Sequence, residues 1–320
     1  MTRYILRRLL LMIPVILLVT IGIFVLIRLE PGDPVLTFAG EDRNPQLLAA
    51  LRHEYGLDQP LPVQYVIWLS HAVRGDLGRS FQTNQPVVEA MAQRLPATIE
   101  LGAAALLISI VVSLVVGTLS AVRRNSAVDL LATGVTLVGV SFPSFFLGLI
   151  LILLFAYVIP GHLLPPGGFV PLTTDVGQNL KRLILPAITL STLSIAVNMR
   201  QVRSSLLEVF GLDYIRTARA KGLSERRVIV RHALKNALIP VVTLIGIQIG
   251  SIIEGAFITE TIFIWPGVGL LAVQAIPSGD YPVVQGVVLV SALAYMFSTL
   301  LVDVLYAWLD PRISYEGAGS

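Results

Sequence analysis

The feature that most restricts this chain is a series of long stretches without one charged side chain. They cover Leu9–Ile27, Leu101–Val122, Leu183–Met199, Asn236–Ile253 and Tyr281–Val302. A sixth, Leu130–Thr174, is apolar from Leu130 to about Tyr157 and then meets "VIPGHLLPPGG", whose prolines and glycines cannot continue a helix. Crossing a hydrocarbon layer takes roughly 20 apolar residues in a helix. In lipid every backbone polar group must find its partner within the protein, which leaves the helix as the form such stretches adopt. The expectation is therefore an all-α integral membrane protein with six transmembrane helices. Only 13% of the residues are charged, where a soluble domain carries about a quarter. Cysteine is absent, which excludes disulfides, thiolate metal sites and a cysteine nucleophile.

Arg3, Arg7 and Arg8 precede the first stretch, as in a secretory signal. Its apolar part exceeds the ~7–15 residues of a signal core, and "IRLEPGDP" offers no small-residue cleavage site, so residues 1–30 read as a retained span. Cytoplasmic loops are enriched in Lys and Arg. Placing the N-terminus inside puts fifteen basic residues on the inner side and eight outside, so both termini are expected in the cytoplasm. Nine of the fifteen fall between Arg200 and Lys235.

Residues 31–95 form the largest external segment. "PGDP" (31–34) turns the chain out of the membrane, and "PQLLAALRHEYGLD" and "LPVQYVIWLSHAVRGDLG" read as two short helices ending near Gly56 and Gly75. This is a small helical cap, too small for much core of its own. Residues 96–310 are left as a five-helix core and 311–320 as a tail. "LPA" occurs at 95–97 and 185–187 and reads as two helix starts, since proline in a first turn loses no hydrogen bond. Pro143 should kink the third span, and Gly246 with Gly250 should let another helix approach the fifth.

Few residues carry chemistry. No "GK" dipeptide and no HExxH motif occur, so a phosphate-binding loop and a zinc-peptidase helix are excluded. In the fourth span Ser191, Ser194 and Asn198 share one helical face. Such a stripe either lines a wet pathway or bonds between helices. Glu254, after the fifth apolar run, either selects a positively charged group beside a translocation route or sits in water at the membrane edge. The basic segment "DYIRTARAKGLSERRVIVRHALK" (213–235) reads as a short helix, a turn at Gly222 and a second helix capped by Ser224, with Glu225 in its first turn. Thr217, Ala218 and Ala220 carry little bulk, so the first of these helices can seat in a groove of another protein.

That segment resembles the cytoplasmic signature of bacterial ABC-importer permeases, "EAA", three residues, Gly, nine residues, "I-x-L-P". Arg216-Thr217-Ala218 stand in the EAA place, Gly222 in the turn place and His232-Ala233-Leu234-Lys235 in the last, with Arg for Glu, Thr for Ala, His for Ile and Lys for Pro. The variant is similar to the B-type subunit of the dipeptide/oligopeptide/nickel permeases. It shares with them "RRLLLMIP" (7–14), "PGDP", "YGLDQPL" (55–61), "GDLGRSF" (75–81), "LPATIELG" (95–102), "DYIRTARAKGL" (213–223), "RHALKNALIPVVT" (231–243), "ETIFIWPGVG" (260–269), "DYPVVQG" (280–286) and "LDPRI" (309–313).

The resemblance implies a type I ABC importer permease fold with a small extracellular helical insertion, in the bacterial inner membrane. It implies a homologous second, C-type permease, two cytoplasmic ATPases and an external substrate-binding protein. Residues Arg216, Thr217, Ala218, Arg219, Ala220, Lys221 and Gly222 would form the coupling helix on which one ATPase docks. The chain itself would bind no cofactor and catalyse no reaction; ATP and Mg would belong to the ATPases, and no nucleic acid is expected. The substrate implied is a di- or oligopeptide, with nickel chelates or glutathione as the alternative within the family. His53, His71 and His162 show no ligand spacing that favours a metal. An ion-coupled secondary transporter would show internal symmetry and buried ionisable relays, and neither is visible.

Overall fold

A computed structural model of the chain describes residues 2–29, 44–54, 56–161 and 163–309, and these contain helices and loops with no strand. The helices are α1 (Thr2–Leu29), α2 (Pro45–Glu54), α3 (Leu61–Val73), α4 (Val87–Val122), α5 (Ala127–Ser141) and α6 (Ser144–Val158). They continue with α7 (Val176–Phe210), α8 (Asp213–Ala220), α9 (Glu225–Ala237), α10 (Ile239–Phe263), α11 (Val268–Ala275) and α12 (Tyr281–Leu309). The chain is all-α. Helices α1, α4, α7 and α12 are each long and apolar enough to cross a membrane, and three bent pairs raise the possible total to seven. The six apolar runs of the sequence fall on α1, α4, α5 with α6, α7, α10 and α12. "PGDP", His162 and the tail lie outside the described residues.

Two boundaries differ from the sequence expectation. "LPA" does not open either span: Pro96 lies well inside α4 and Pro186 inside α7. Helix α4 has 36 residues, about 54 Å at 1.5 Å per residue, against a hydrocarbon core of about 30 Å. The helix therefore begins outside the apolar layer at Val87, and residues 87–95 of the external segment belong to the second span. The third span is broken outright at Pro143. Phe142 is extended, Pro143 opens α6, and the two halves meet at 106°. Proline removes a backbone donor and pushes the preceding residue out of helical geometry, which is what Phe142 shows.

Helices α4, α7 and α10 form the centre, with α12 against α10 and α1 against α12. Gly246 and Gly250 face α12 as the Gly-xxx-Gly pattern requires: a Cβ on Gly246 would meet Val302 at 2.8 Å, and one on Gly250 the Tyr295 ring at 2.6 Å. At the N-terminal end of α5, Asp129 is buried and receives Arg203 Nε (2.7 Å) and Nη2 (2.8 Å), the Asn125 N–H (2.9 Å) and the Ser120 hydroxyl. This network binds the end of α4 and the start of α5 to α7.

The external segment is fixed to the bundle at two places. Helix α3 packs on α1 through Phe24, Tyr65 and Trp68, while Arg28 Nε and Nη2 donate to Gln64. Further on, "GDLGRSF" meets "DYPVVQG". Buried Asp280 accepts from the Ser80 hydroxyl (2.5 Å) and the Phe81 N–H (3.0 Å), and Gly286 leaves room for Val87 and Leu77. Two motifs some 200 positions apart are thus one contact. Asp280→Ala strands these donors, so the unfolding free energy should fall by about 1–3 kcal/mol. A lower melting temperature of the purified protein, with earlier protease cleavage in residues 76–86, is the expected result; an unchanged melting curve refutes it.

Candidate functional site: the basic hairpin and the polar centre

The basic segment folds as a helical hairpin. Gly222 has φ +74°, the left-handed region in which glycine alone carries no Cβ penalty, and the Gly222 and Leu223 N–H groups close the end of α8 on Arg219 and Ala218. Ser224 occupies the cap position of α9, yet its side chain makes no capping bond, contrary to the sequence expectation. Glu225 turns back across the turn instead, receiving Arg219 Nε at 2.8 Å and Nη2 at 3.3 Å. The hairpin is thereby closed by an ion pair rather than by a hydroxyl cap.

Helical periodicity divides the seven predicted coupling residues. Arg216, Thr217, Arg219, Ala220, Lys221 and Gly222 are exposed, while Ala218 joins Ile215 in the core. Ala218 is therefore a packing residue and not part of an outward surface. Its small size lets α8 lie close to the bundle. Ile215 and Ala218 sit in one apolar cluster with Ala121 of α4, Val202, Leu206 and Val209 of α7, Val228, Ala233 and Ala237 of α9, and Val241 of α10. The hairpin thus lies against α7, runs on into α10 and shares this cluster with the end of α4. Tyr214 adds a polar tie, receiving Asn236 Nδ2 at 2.8 Å.

The polar stripe of α7 lies inside the chain. Ser191 and Asn198 are fully buried and Ser194 nearly so. Asn198 Nδ2 donates to Ser109 of α4 (3.2 Å) and to Gln248 of α10 (2.8 Å), while Ser191 donates to the Ile188 carbonyl. Asn198 thus bonds between helices and Ser191 within its own helix. Glu254 lies on α10, its side chain outside the described part.

Sequence reasoning passed over Glu260, which is fully buried near the opposite end of α10. Its carboxylate receives the Thr98 hydroxyl (2.7 Å) and the Leu270 N–H (3.0 Å), and Thr98 in turn accepts from the Val268 N–H (2.9 Å). Beside it Trp265, also fully buried, donates Nε1–H to the Ala97 carbonyl at 2.8 Å. Gly267 lies so close to the Glu260 carboxylate that no Cβ fits. The loop after α6 joins this knot through Gly168 N–H to Phe263 O (2.8 Å) and Phe169 edge-on to Trp265. "ETIFIWPGVG" is thus a lock between α4, α10 and α11. Its only sequence signal was an acid followed by Trp-Pro-Gly-x-Gly.

A bundle of helices long and apolar enough to cross a membrane, with a basic hairpin exposed at one end, has the form of a multi-pass membrane protein. A family model described as "Binding-protein-dependent transport system inner membrane component" matches residues 113–315, and the model of that component's N-terminal part matches residues 1–102. The chain belongs to this family: it is an inner membrane permease subunit of an ABC transport system and works with that system's other components. It is 43% identical to the dipeptide transport system permease protein DppB of Escherichia coli (strain K12), over 99% of this chain and 100% of the relative. It is equally 43% identical to the dipeptide transport system permease protein DppB of Alkalihalophilus pseudofirmus, over 98% and 100%. Among solved structures, one titled as an amino acid ABC transporter with histidines superposes with a TM-score of 0.50 at 14% identity, covering 68% of this chain and 93% of that one. That likeness concerns the fold.

Two substitutions examine the geometry. Arg219→Glu sets two carboxylates face to face across the Gly222 turn and should cut transport by about tenfold or more, while the exchange Arg219→Glu with Glu225→Arg restores most of it. Equal defects in single and double variants would show that the pair does not close the hairpin. Asn198→Ala leaves Ser109 and Gln248 without their donor and should lower stability by about 1–3 kcal/mol. Thermal unfolding of the assembled complex measures this; unchanged unfolding with lost uptake would return Asn198 to the pathway.

Proposed function

We propose that this chain is one of two related permeases that form the pore of an ATP-driven importer of di- or oligopeptides. Both termini lie in the cytoplasm, and an external binding protein delivers the substrate. One cytoplasmic ATPase docks on the exposed face of α8 and its turn: Arg216, Thr217, Arg219, Ala220, Lys221 and Gly222. The chain carries no catalysis of its own, and ATP and Mg are held by the ATPase pair. The observation that carries this reading is the seat of the hairpin. Through Ile215 and Ala218 it lies against α7 and α9 and joins the apolar cluster that also holds the ends of α4 and α10, so a displacement imposed on it bears on the spans through that cluster. Close packing transmits such strain because it leaves few voids to absorb it.

The basic residues support the orientation, since the hairpin holds the densest group of them and such residues favour the cytoplasmic side. Peptide is supported as substrate by the two dipeptide permeases that match over nearly the whole chain. In the reconstituted transporter, Gly222→Asp places a carboxylate on the exposed left-handed turn at φ +74°, in the middle of the proposed docking face. Peptide uptake should fall at least tenfold while ATP hydrolysis persists at a rate no longer stimulated by the loaded binding protein. Uptake at the wild-type rate by properly assembled protein would remove the docking role.

A further inference from the structure

Between α4 on one side and α10 and α12 on the other lies a half-open cavity of about 580 Å³, a size usual for a small-molecule site. Thr98 and Val268 belong to its wall, so it borders the Glu260 lock directly. Met91, Ile252 and Ala256 line it and are buried. Leu95, Ile99 and Ala103 line it and are exposed, so it opens along the flank of α4. Its lining follows α4 from Val88 to Leu106, about 27 Å at 1.5 Å per residue.

Water is a poor occupant. Among the described residues the lining holds no ionisable side chain, and its side-chain polar groups are the hydroxyls of Thr98 and Ser291. The Thr98 hydroxyl is already engaged by Glu260 and the Val268 N–H, whereas a buried water takes about three partners. A helix of another subunit does not fit inside either. At a diameter of about 10 Å, that length of helix displaces about 2,000 Å³, several times what the cavity holds. Leaving the space empty forfeits dispersion contacts for every side chain around it. An alkyl chain meets all three limits, being apolar, thin and long. The opening lies where such chains are found. The exposed row of α4 continues past it through Leu107, Val111 and Val115, within the charge-free run Leu101–Val122 that is long enough to cross the hydrocarbon.

We propose that this cavity is a lipid site, holding one acyl chain of a membrane phospholipid by the chain and not by the head group. The chain fills the seam between α4 and the α10–α12 pair and lies against the Glu260 lock. Its walls belong to different spans, so the slot changes width whenever α4 moves against α12, and the chain acts as a spacer between them. Such a site is independent of the substrate carried and of the surface on which the ATPase docks.

The test uses the complete transporter in vesicles of phosphatidylethanolamine and phosphatidylglycerol, with a small fraction of phosphatidylcholine bearing a diazirine on one acyl chain. After irradiation the adducts are mapped by peptide mass spectrometry. In the wild type, adducts are expected on the buried positions Met91, Ile252 and Ala256 as well as on the open surface at Val111 and Val115. Ala103→Phe and Ala294→Phe fill the slot from opposite walls, and either assembled variant should lose about tenfold or more of the buried adducts with the surface adducts unchanged. Wild-type protein labelled at Val111 and Val115 but not at the buried positions overturns the site, whatever the variants do. Buried adducts undiminished in a filled variant overturn it as well. An Ala103→Cys variant addresses a protein occupant: crosslinking of Cys at 103 to another subunit, in place of the buried lipid adducts, assigns the slot to that subunit and rejects the lipid.

Discussion

Whatever the basic hairpin transmits depends on the burial of Ile215 and Ala218 in the apolar cluster that also holds the ends of α4, α7 and α10. Apolar burial is the term with enough magnitude to hold an element this short: filling a site with one aliphatic side chain contributes about 1.5–3 kcal/mol. The ion pair between Arg219 and Glu225 is exposed, at 41% and 61% of the side-chain surface, and pairs in that setting contribute little net energy. Packing therefore fastens the hairpin to the bundle, and the ion pair sets the angle between its two arms. Replacing the pair should alter geometry more than stability, whereas enlarging Ala218 would lift α8 off its seat.

At the far end of the same helices the order is reversed, with polar groups fastening and apolar ones filling. Glu260 is a fully buried carboxylate, which would be costly without partners. It is held by the Thr98 hydroxyl and the Leu270 N–H, and the Val268 N–H is carried on Thr98. These donors become available because α10 ends at Ile264 in a left-handed residue and α11 begins at once, so that its first N–H groups point at the acid. A helix start is a natural place for a carboxylate. The glycines at 267 and 269 are what allow α11 to approach that closely. The Asp280 contact with Ser80 and Phe81 follows the same rule at the start of α12.

The spans were legible because lipid leaves a chain no choice over runs of that length, and the hairpin turn was legible because Gly222 permits an angle its neighbours do not. Missed features share one cause. "LPA" looked like a helix start, since proline suits a first turn; that Val87 to Leu95 already form helix depends on Leu77, Tyr281 and Val284 packing around Val87 and Met91, which no local pattern contains. Ser224 looked like a cap because of its position; Glu225 is drawn to Arg219 only once the turn has closed. Ala218 and Ala220 are the same letter two places apart. A helical step of 100° per residue sends one into the core and leaves the other outside, and only knowledge of which face is covered tells them apart. Glu260 drew no role from the sequence, because the glycines that make room for it lie seven and nine positions later.

The two ends are joined by the same three helices. Helix α4 contributes Ala121 to the hairpin cluster and Ala97, Leu101 and Ala105 to the cluster around Trp265; α7 contributes Val202 and Leu206 to the first and Leu183, Ala187 and Leu190 to the second; α10 contributes Val241 to the first and Ile252 and Ala256 to the second. Midway, Asn198 bonds α7 to both α4 and α10. Rods bound to one another at both ends and at the middle resist sliding past one another. A force on the hairpin would then reach the Glu260 lock as a tilt of the set, not as a change within it. That makes Asn198 a cross-brace, a role for which a buried amide suits better than an apolar side chain: two directional bonds fix register between helices, and dispersion contacts alone do not.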